Sequence, residues 1–157
     1  MSKVLVTGMS GTGKSSGLAE LGRRGYRVVD TDDPGWCKWV ESSVEDGRGE
    51  WLWVEERMAG LLESDDGRTV FVQGCVRNQG KFYGRFDAVV LLSAPAEVIL
   101  DRIARRTTND FGKTSAEREM ILDDLAEVEP LLRAGCSHEL DASRPLAEVV
   151  DDLIAIA

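Results

Sequence analysis

The segment with the most specific chemistry is Gly8-Met-Ser-Gly-Thr-Gly-Lys-Ser15, which directly follows the apolar and β-branched run Lys3-Val-Leu-Val-Thr7. A glycine, four further residues and then Gly-Lys-Ser is the pattern of a loop that binds phosphate between a strand and a helix. The glycines let backbone N–H groups point inward, and the start of the helix adds further donors to this concave anion site. The pattern predicts that a nucleoside triphosphate binds here.

Residues of this loop have separate expected roles. Lys14 supplies a positive charge for the β- and γ-phosphates, and the hydroxyl of Ser15 is suited to bind Mg²⁺. GTPases, motor ATPases and small-molecule kinases share such loops, so the loop alone does not select a reaction. A GTPase is disfavoured because no Asn-Lys-x-Asp segment follows a strand. The remaining predicted nucleotide contacts are Gly8, Ser10, Gly11, Thr12, Gly13 and Ser16.

A pair of carboxylates follows the second predicted strand, in Val28-Val-Asp-Thr-Asp32. Paired carboxylates beside Mg²⁺ can hold its water ligands and orient or deprotonate a hydroxyl group. Asp30 and Asp32 are therefore candidate catalytic and metal-binding residues. The alternative is an exposed acidic turn, in which Asp33 caps a following helix.

A cluster of arginines lies on a predicted helix, in Asp101-Arg-Ile-Ala-Arg-Arg106, although the chain as a whole carries a net charge of −9. Arginine stacks on flat rings and grips phosphates with its planar guanidinium group. The polar loop 109–113 follows, and its Lys113 is another candidate phosphate contact. The alternative is a solvated basic helix face.

Apolar strands alternate with helices along the chain, which indicates βαβ units and a mainly parallel sheet covered by helices on both faces. Ligands bind such sheets at the carboxyl ends of the strands, so the loops after Thr7, Val29 and Val72 are expected at one edge. The predicted strands are 3–7, 26–29, 69–72, 87–92 and 139–140. The predicted helices are 14–24, 35–43, 50–62, 95–106, 115–132 and 146–156.

In their order and content these segments resemble the nucleoside monophosphate kinase and shikimate kinase-like group. The resemblance implies one adenylate kinase-like domain over residues 1–157, with an α/β, three-layer P-loop NTPase fold. It implies a five-stranded, mainly parallel sheet in the order 2-3-1-4-5, a helical acceptor-binding insert over 32–68 and a short lid loop over 107–115. It also implies ATP as the phosphate donor and Mg²⁺ as the cofactor.

The resemblance assigns roles to the carboxylates and to the segment Val72-Gln-Gly-Cys-Val-Arg77. In shikimate and gluconate kinases the first carboxylate, here Asp30, lies near the metal, and the second, here Asp32, helps to hold the substrate hydroxyls. Gly74 and Arg77 fall in the segment that meets the acceptor or the transferred phosphate. Gln73 departs from the group, because nucleotide kinases commonly have an acid there.

The resemblance also assigns the arginines. Arg102 matches the arginine that packs near adenine in adenylate kinases, and Arg105 and Arg106 match later arginines that reach the phosphates. A lid arginine such as Arg106 would neutralise charge in the transition state. The loop 107–115 is then expected to close over ATP, which excludes water and protects ATP from hydrolysis.

The identity of the acceptor is less determined. The insert contains Trp36, Trp39, Trp51 and Trp53, of which at least two are expected in the core, with Trp36 the one expected to face a ligand. A small molecule with hydroxyl groups read by Asp32 is the first choice. Shikimate itself is not well supported, because no motif fixes its carboxylate-binding arginines, for which Arg57 and Arg118 are possible stand-ins. A nucleoside or nucleoside monophosphate acceptor is the second possibility. An ATP-binding regulatory protein with weak ATPase activity is the third.

Composition excludes other classes. The acidic net charge argues against a nucleic acid polymer as partner, and no apolar run approaches the length of about 20 residues that spans a bilayer. Cys37, Cys75 and Cys136 form no CxxC pair, and His138 is the only histidine, so a disulfide framework or zinc site is not expected. We expect a cytoplasmic protein, as a monomer or homodimer, whose partners are a nucleotide and a small-molecule acceptor.

Overall fold

A central parallel sheet organises the chain, whose computed structural model describes residues 2–41, 49–107 and 110–157. Five strands form this sheet within those ranges, in the order β2-β5-β1-β6-β7, and every neighbouring pair is parallel. Counted without the hairpin strands β3 and β4, this is the predicted order 2-3-1-4-5, and the predicted α/β class is confirmed. The strands are β1 (Lys3–Thr7), β2 (Arg27–Asp30), β3 (Cys37–Val40), β4 (Glu50–Trp53), β5 (Val70–Gln73), β6 (Ala88–Ser93) and β7 (His138–Asp141).

The helices connect these strands. They are α1 (Lys14–Arg23), α2 (Glu55–Glu63), α3 (Ala96–Arg105), α4 (Ser115–Glu127), α5 (Glu129–Gly135) and α6 (Leu146–Ile156), with a 3₁₀ segment at Arg77–Arg85. The helix predicted over 115–132 is divided at Val128, because Pro130 stands in the first turn of α5 and cannot continue a helix from the preceding turn. None of the described helices combines the length and apolar content needed to cross a membrane.

The core lies on both faces of the sheet because side chains alternate along each strand. Val4 and Val6 of β1 face α1 and α6, where they pack with Leu21 and Leu153. Leu5 points the opposite way and packs with a second cluster formed by β4, α2 and the 3₁₀ segment. The two clusters hold β1 rigidly in the middle, and β1 carries the phosphate-binding loop at its end.

The insert between β2 and β5 is the main correction to the predicted fold. The helix predicted over 35–43 is wrong: β3 pairs with β4 in an antiparallel hairpin, and a helix begins only at Glu55. Trp51 and Trp53 alternate with a period of two, and aromatic residues favour strands, so this segment carried a strand signal. The insert is therefore a hairpin followed by α2. Residues 42–48 of the predicted insert lie outside the described residues.

Candidate active site

The phosphate-binding loop connects β1 to α1 and leaves the start of α1 open. Gly13 precedes the helix in a left-handed conformation, with φ of 90°, and no side chain caps the helix. The first turn also lacks an acidic residue, so its N–H groups remain available to an anion. Gly8 has φ of 152°, and a Cβ there would collide with the carbonyl oxygen of Leu92 in β6. The loop thus runs so close to β6 that only glycine fits at this position.

Lys14 is held against the loop by two backbone carbonyls. Its Nζ donates to the oxygen of Gly8 at 2.5 Å and to that of Met9 at 3.0 Å. Burial lowers the pKa of Lys14 below its ordinary value, while the nearby Cys75 and the carboxylates of Asp32 and Asp30 act in the opposite direction. The lysine is therefore poorly solvated and is predisposed to interact with an anion that enters the loop.

The hydroxyl groups of the loop divide into two kinds. The side chain of Thr12 is buried and donates to Met9 O at 2.8 Å, so it braces the loop from inside. Ser15 and Ser16, in the first turn of α1, are exposed. Their hydroxyl groups are therefore free to reach a phosphate or a phosphate-bound cation.

A cavity of about 570 Å³ lies above the loop. This volume lies in the range typical of small-molecule sites, which is about 300–1,000 Å³. Four segments that are distant in sequence meet around it: the phosphate-binding loop, the turn after β2, the end of α3, and the loop after β7 with the start of α6. The predicted site residues that line it are Ser10, Gly11, Thr12, Gly13, Lys14, Ser15, Ser16, Asp32, Arg102 and Arg106.

The carboxylate pair sits beside this cavity and is joined to the neighbouring strand. Asp30 is the last residue of β2 and lies in register with Gln73, the last residue of β5. Gln73 Nε2 donates to Asp30 Oδ1 at 2.5 Å and to Asp32 Oδ2 at 3.2 Å. Asp30 Oδ1 also accepts from the backbone N–H of Asp32 at 2.9 Å. The two carboxylates and the amide form one hydrogen-bonded group at the carboxyl edge of the sheet.

The comparisons with known proteins agree with this arrangement. A family described as an AAA domain matches residues 4–123, which include the loop, the carboxylates and the arginine helix. Shikimate kinase 2 of Yersinia enterocolitica is 30% identical over 166 residues, which cover 98% of this chain and 94% of the relative. The chain belongs to the shikimate kinase-like P-loop kinases. It is therefore an enzyme of the small-molecule kinase class.

Solved structures share the fold of this kinase. A shikimate kinase from Acinetobacter baumannii, in complex with shikimate, superposes with a TM-score of 0.68 at 16% identity, covering 99% of this chain and 92% of that one. A gluconokinase from Sinorhizobium meliloti 1021 gives a TM-score of 0.60 at 23% identity, covering 99% and 90%. At these identities the likeness concerns the fold alone.

The predicted arginines of this kinase do not all face the cavity. Arg102 and Arg106 line the cavity, and Arg106 donates from Nη2 to the carbonyl oxygen of Phe111 at 2.8 Å. Arg105 points elsewhere: its side chain is 80% exposed and pairs with Asp101, one turn earlier in α3. Lys113 donates from Nζ to the carbonyl oxygen of Arg106 at 2.8 Å, so the predicted lid contacts the residue that ends α3. Residues 108 and 109 of that lid lie outside the described residues.

The predicted acceptor-side residues are more dispersed. Gly74 is buried at the end of β5, where Thr31 and Trp53 occupy the space that a Cβ would need. Trp36 is half-buried, with the guanidinium of Arg57 4.0 Å from its ring centroid. Arg77 is 82% exposed and pairs with Glu50 of the hairpin, 3.2 Å away. Of the acceptor-side residues, the structure brings only Asp32 to the cavity wall.

Sequence analysis missed the far wall of the cavity. Ala142, Arg144, Leu146 and Val149 line it, from the loop after β7 and the start of α6. Arg144 is fixed there by Asp152, whose Oδ2 accepts from Nη2 at 2.7 Å. The signal was available, because this loop also follows the carboxyl end of a parallel strand, where ligands bind.

Proposed function

We propose that this kinase transfers the γ-phosphoryl group of ATP, with Mg²⁺, to a hydroxyl group of a small-molecule acceptor. The observation that carries the proposal is that Asp32 lines the same cavity as Lys14 and Ser15. A carboxylate in the same cavity as a phosphate-binding loop can hold the Mg²⁺ that accompanies ATP, and it can also act on an acceptor. It is useful where a hydroxyl group must be oriented toward the γ-phosphate.

The residues present fit a phosphate-bound magnesium ion. Mg²⁺ is usually held by one or two carboxylates and by substrate phosphates, with water as the remaining ligands. The described residues contain no group of three or more His, Cys, Asp or Glu side chains placed to hold a metal ion, as a dedicated metal cage would require. Ser15, Asp30 and Asp32 would hold the ion directly or through water. When bound, it neutralises charge on the β- and γ-phosphates.

The remaining residues of the site position the reactants and neutralise negative charge on the phosphates. In the proposed reaction the acceptor oxygen forms a bond to the γ-phosphorus while the bond from that phosphorus to the bridging β–γ oxygen breaks, and ADP leaves. The hydroxyl proton passes to Asp32 or to water. Lys14 and Arg106 stabilise the charge on the equatorial oxygens, and Arg102 packs against the nucleotide. This is catalysis by positioning and electrostatics, as is usual for phosphoryl transfer.

Small hydroxylated molecules are the proposed acceptors. Support comes from the relationship to a shikimate kinase and from Asp32, whose Oδ1 receives no hydrogen bond from any described residue. Arg57 is stacked on Trp36, which follows this carboxylate closely in the chain, and donates a long hydrogen bond, of 3.4 Å, to Pro34 O. An acceptor that carries both hydroxyl groups and an anionic group would use both side chains.

The test is a coupled assay that follows ADP release with ATP, Mg²⁺ and a panel of acceptors. The panel contains shikimate, gluconate, other polyhydroxy acids, nucleosides and nucleoside monophosphates. We expect one hydroxylated acid to stimulate ADP release and to appear as a phosphate ester by mass spectrometry. The control is Lys14→Ala, which should retain the fold by circular dichroism and lose nearly all transfer.

The other outcomes of this assay decide between the remaining possibilities. Stimulation by a nucleoside or nucleoside monophosphate alone would contradict the proposed acceptor class while keeping the kinase. Slow ATP hydrolysis that no acceptor stimulates would indicate a nucleotide-dependent regulator. Wild-type turnover in the Lys14→Ala variant would refute the assigned phosphate site.

A further inference from the structure

We propose that Gln73 is a positioning residue that clamps Asp30 and Asp32 into one fixed pair, an inference that rests on the proposed function of these carboxylates. The side chain of Gln73 is fully buried at the end of β5. Its single nitrogen Nε2 serves both partners, Asp30 Oδ1 at 2.5 Å and Asp32 Oδ2 at 3.2 Å. We call this three-residue group the carboxylate clamp.

The hydrogen-bond chemistry fixes the orientation of the amide. Ionised carboxylates only accept hydrogen bonds, so the group that faces both of them must be the NH₂ and not the carbonyl. The carbonyl oxygen Oε1 then points away, and it is buried without a partner among the described residues. An unpartnered buried acceptor reduces stability. Gln73 therefore stabilises the carboxylate pair at the expense of the fold around it.

The clamp leaves a defined set of oxygens for a ligand. Asp30 Oδ1 is saturated, because it accepts from Gln73 Nε2 and from the Asp32 N–H. Asp30 Oδ2 and Asp32 Oδ1 receive no hydrogen bond from any described residue. Thr31, between the two, faces the opposite side and donates to the backbone oxygen of Gln73 at 2.9 Å. Without a shared donor, the two carboxylates would repel each other and move apart. The amide of Gln73 holds both of them, so their free oxygens, Asp30 Oδ2 and Asp32 Oδ1, stay at a fixed spacing.

The variant Gln73→Met tests the clamp, since methionine keeps the length and volume of the side chain and removes its donors. We expect kcat to fall about 10- to 100-fold, and the Mg²⁺ concentration for half-maximal rate to rise, as for partners that orient metal-binding groups. ATP binding in EDTA should stay within about twofold of wild type, because the phosphate-binding loop is untouched. The melting temperature should change little, because removal of the unpartnered carbonyl offsets the loss of the two hydrogen bonds to the carboxylates.

Thr31→Val is the matched control. It removes a buried hydrogen bond to the same residue, Gln73, without touching either carboxylate. We expect it to lower the melting temperature while leaving kcat and the Mg²⁺ dependence within about twofold of wild type. If Gln73 had only a structural role, Gln73→Met would behave like Thr31→Val: it would lose stability and keep the Mg²⁺ dependence of the wild type. That result would overturn the proposal.

A readout without any reaction separates this inference from the proposed function. The chain has two glutamines, Gln73 and Gln79, and Gln79 is also buried and hydrogen-bonded, so it serves as an internal reference. In nuclear magnetic resonance spectra of the nucleotide-free protein, we expect two side-chain NH₂ pairs with slow solvent exchange, one of which disappears in Gln73→Met. Fast exchange of the Gln73 pair overturns the clamp, even if the protein proves to be a kinase. Slow exchange in a protein that phosphorylates no acceptor supports the clamp and contradicts the proposed function.

Discussion

Arg102 donates a hydrogen bond from Nη2 to the backbone carbonyl oxygen of Ala142, over 2.6 Å. Its other terminal nitrogen, Nη1, lies 3.5 Å from the carbonyl oxygen of Gly11 in the phosphate-binding loop. One guanidinium group thus joins α3 to the loop after β7 and to the phosphate-binding loop. Because all three segments line the same cavity, Arg102 helps to set its width.

Replacement of Arg102 by alanine should therefore weaken nucleotide binding. It removes a positive charge and the connection between two walls of the cavity, and charge-assisted hydrogen bonds of this kind contribute about 1.5–3 kcal/mol each. We expect the Kd for ATP, measured by isothermal titration calorimetry, to rise about tenfold or more. The overall fold should persist, because Arg102 lies at the surface of the core.

The comparison variant is Arg105→Ala, on the same helix. The sequence predicts nucleotide contact for both arginines, but Arg105 is largely exposed and pairs with Asp101 across one helical turn. Exposed pairs of this kind contribute little. We expect its Kd for ATP to lie within about twofold of wild type. Equal effects of the two substitutions would show that α3 presents a different face to the nucleotide.

Lys14 should make the stability of the protein depend on alkaline pH. Its pKa is lowered by burial in the folded chain and returns to 10.5 on unfolding. Between the two values the unfolded chain binds more protons than the folded one, so stability rises with pH in that window. Below the folded pKa both states are protonated and this dependence vanishes.

The measurement compares wild type with Lys14→Met by urea unfolding, from neutral pH up to about 10.5. All other titrating groups are common to the two proteins, so the difference in unfolding free energy isolates Lys14. We expect this difference to shift in favour of wild type as the pH rises. A shift in the other direction would mean that the folded protein raises the pKa of the lysine.

Gly74 should not tolerate a side chain. A Cβ at this position would collide with Thr31 Oγ1 and press on the indole of Trp53. We expect Gly74→Ala to destabilise the fold by about 1–3 kcal/mol, the usual cost of overpacking. Because the displacement would reach the adjacent Gln73, whose side chain holds both carboxylates, kcat should fall as well. Gly80→Ala is the control, since a Cβ there meets no atom within 4 Å, and its melting temperature should be equal or higher.

The sequence was most informative where local pattern and chemistry coincide. The phosphate-binding loop follows a buried strand and precedes a helix, so its place at the sheet edge could be predicted from residues 3–24. The alternation of strands with helices indicated the parallel sheet, and the resemblance to the shikimate kinase-like group implied its order. The pairing of Asp30 and Asp32 in the chain also indicated that they act together.

Other parts of the site depend on contacts between distant residues. In the sequence, Gln73 is notable only because nucleotide kinases commonly have an acid at this position. Its hydrogen bond to Asp30 could not be predicted, because it arises from the register between β2 and β5. The two arginines of α3 have similar surroundings in the sequence, and only packing decides which faces the cavity. The apolar spacing of 51–61 fits a helix as well as a strand start, and pairing with β3 selects the strand.

The tryptophans of the hairpin should differ sharply in their contribution to stability. Trp53 is fully buried, with its ring centroid 5.9 Å from that of Phe82, and Asn78 pairs with both its backbone groups. Trp51 is 59% exposed, and its ring packs edge-on against that of Trp39, with 5.6 Å between the ring centroids. We expect Trp53→Ala to cost about 3–5 kcal/mol and Trp51→Ala about 1 kcal/mol.

Trp53→Phe keeps this prediction testable if the alanine variant fails to fold. The indole nitrogen of Trp53 is buried without a hydrogen-bond partner among the described residues, so phenylalanine loses volume but no hydrogen bond. Its cost in urea unfolding should therefore lie between those of Trp51→Ala and Trp53→Ala. If Trp51→Ala proves as costly as Trp53→Ala, Trp51 must also be packed against the rest of the protein. That result would contradict the exposed position of the Trp39–Trp51 pair.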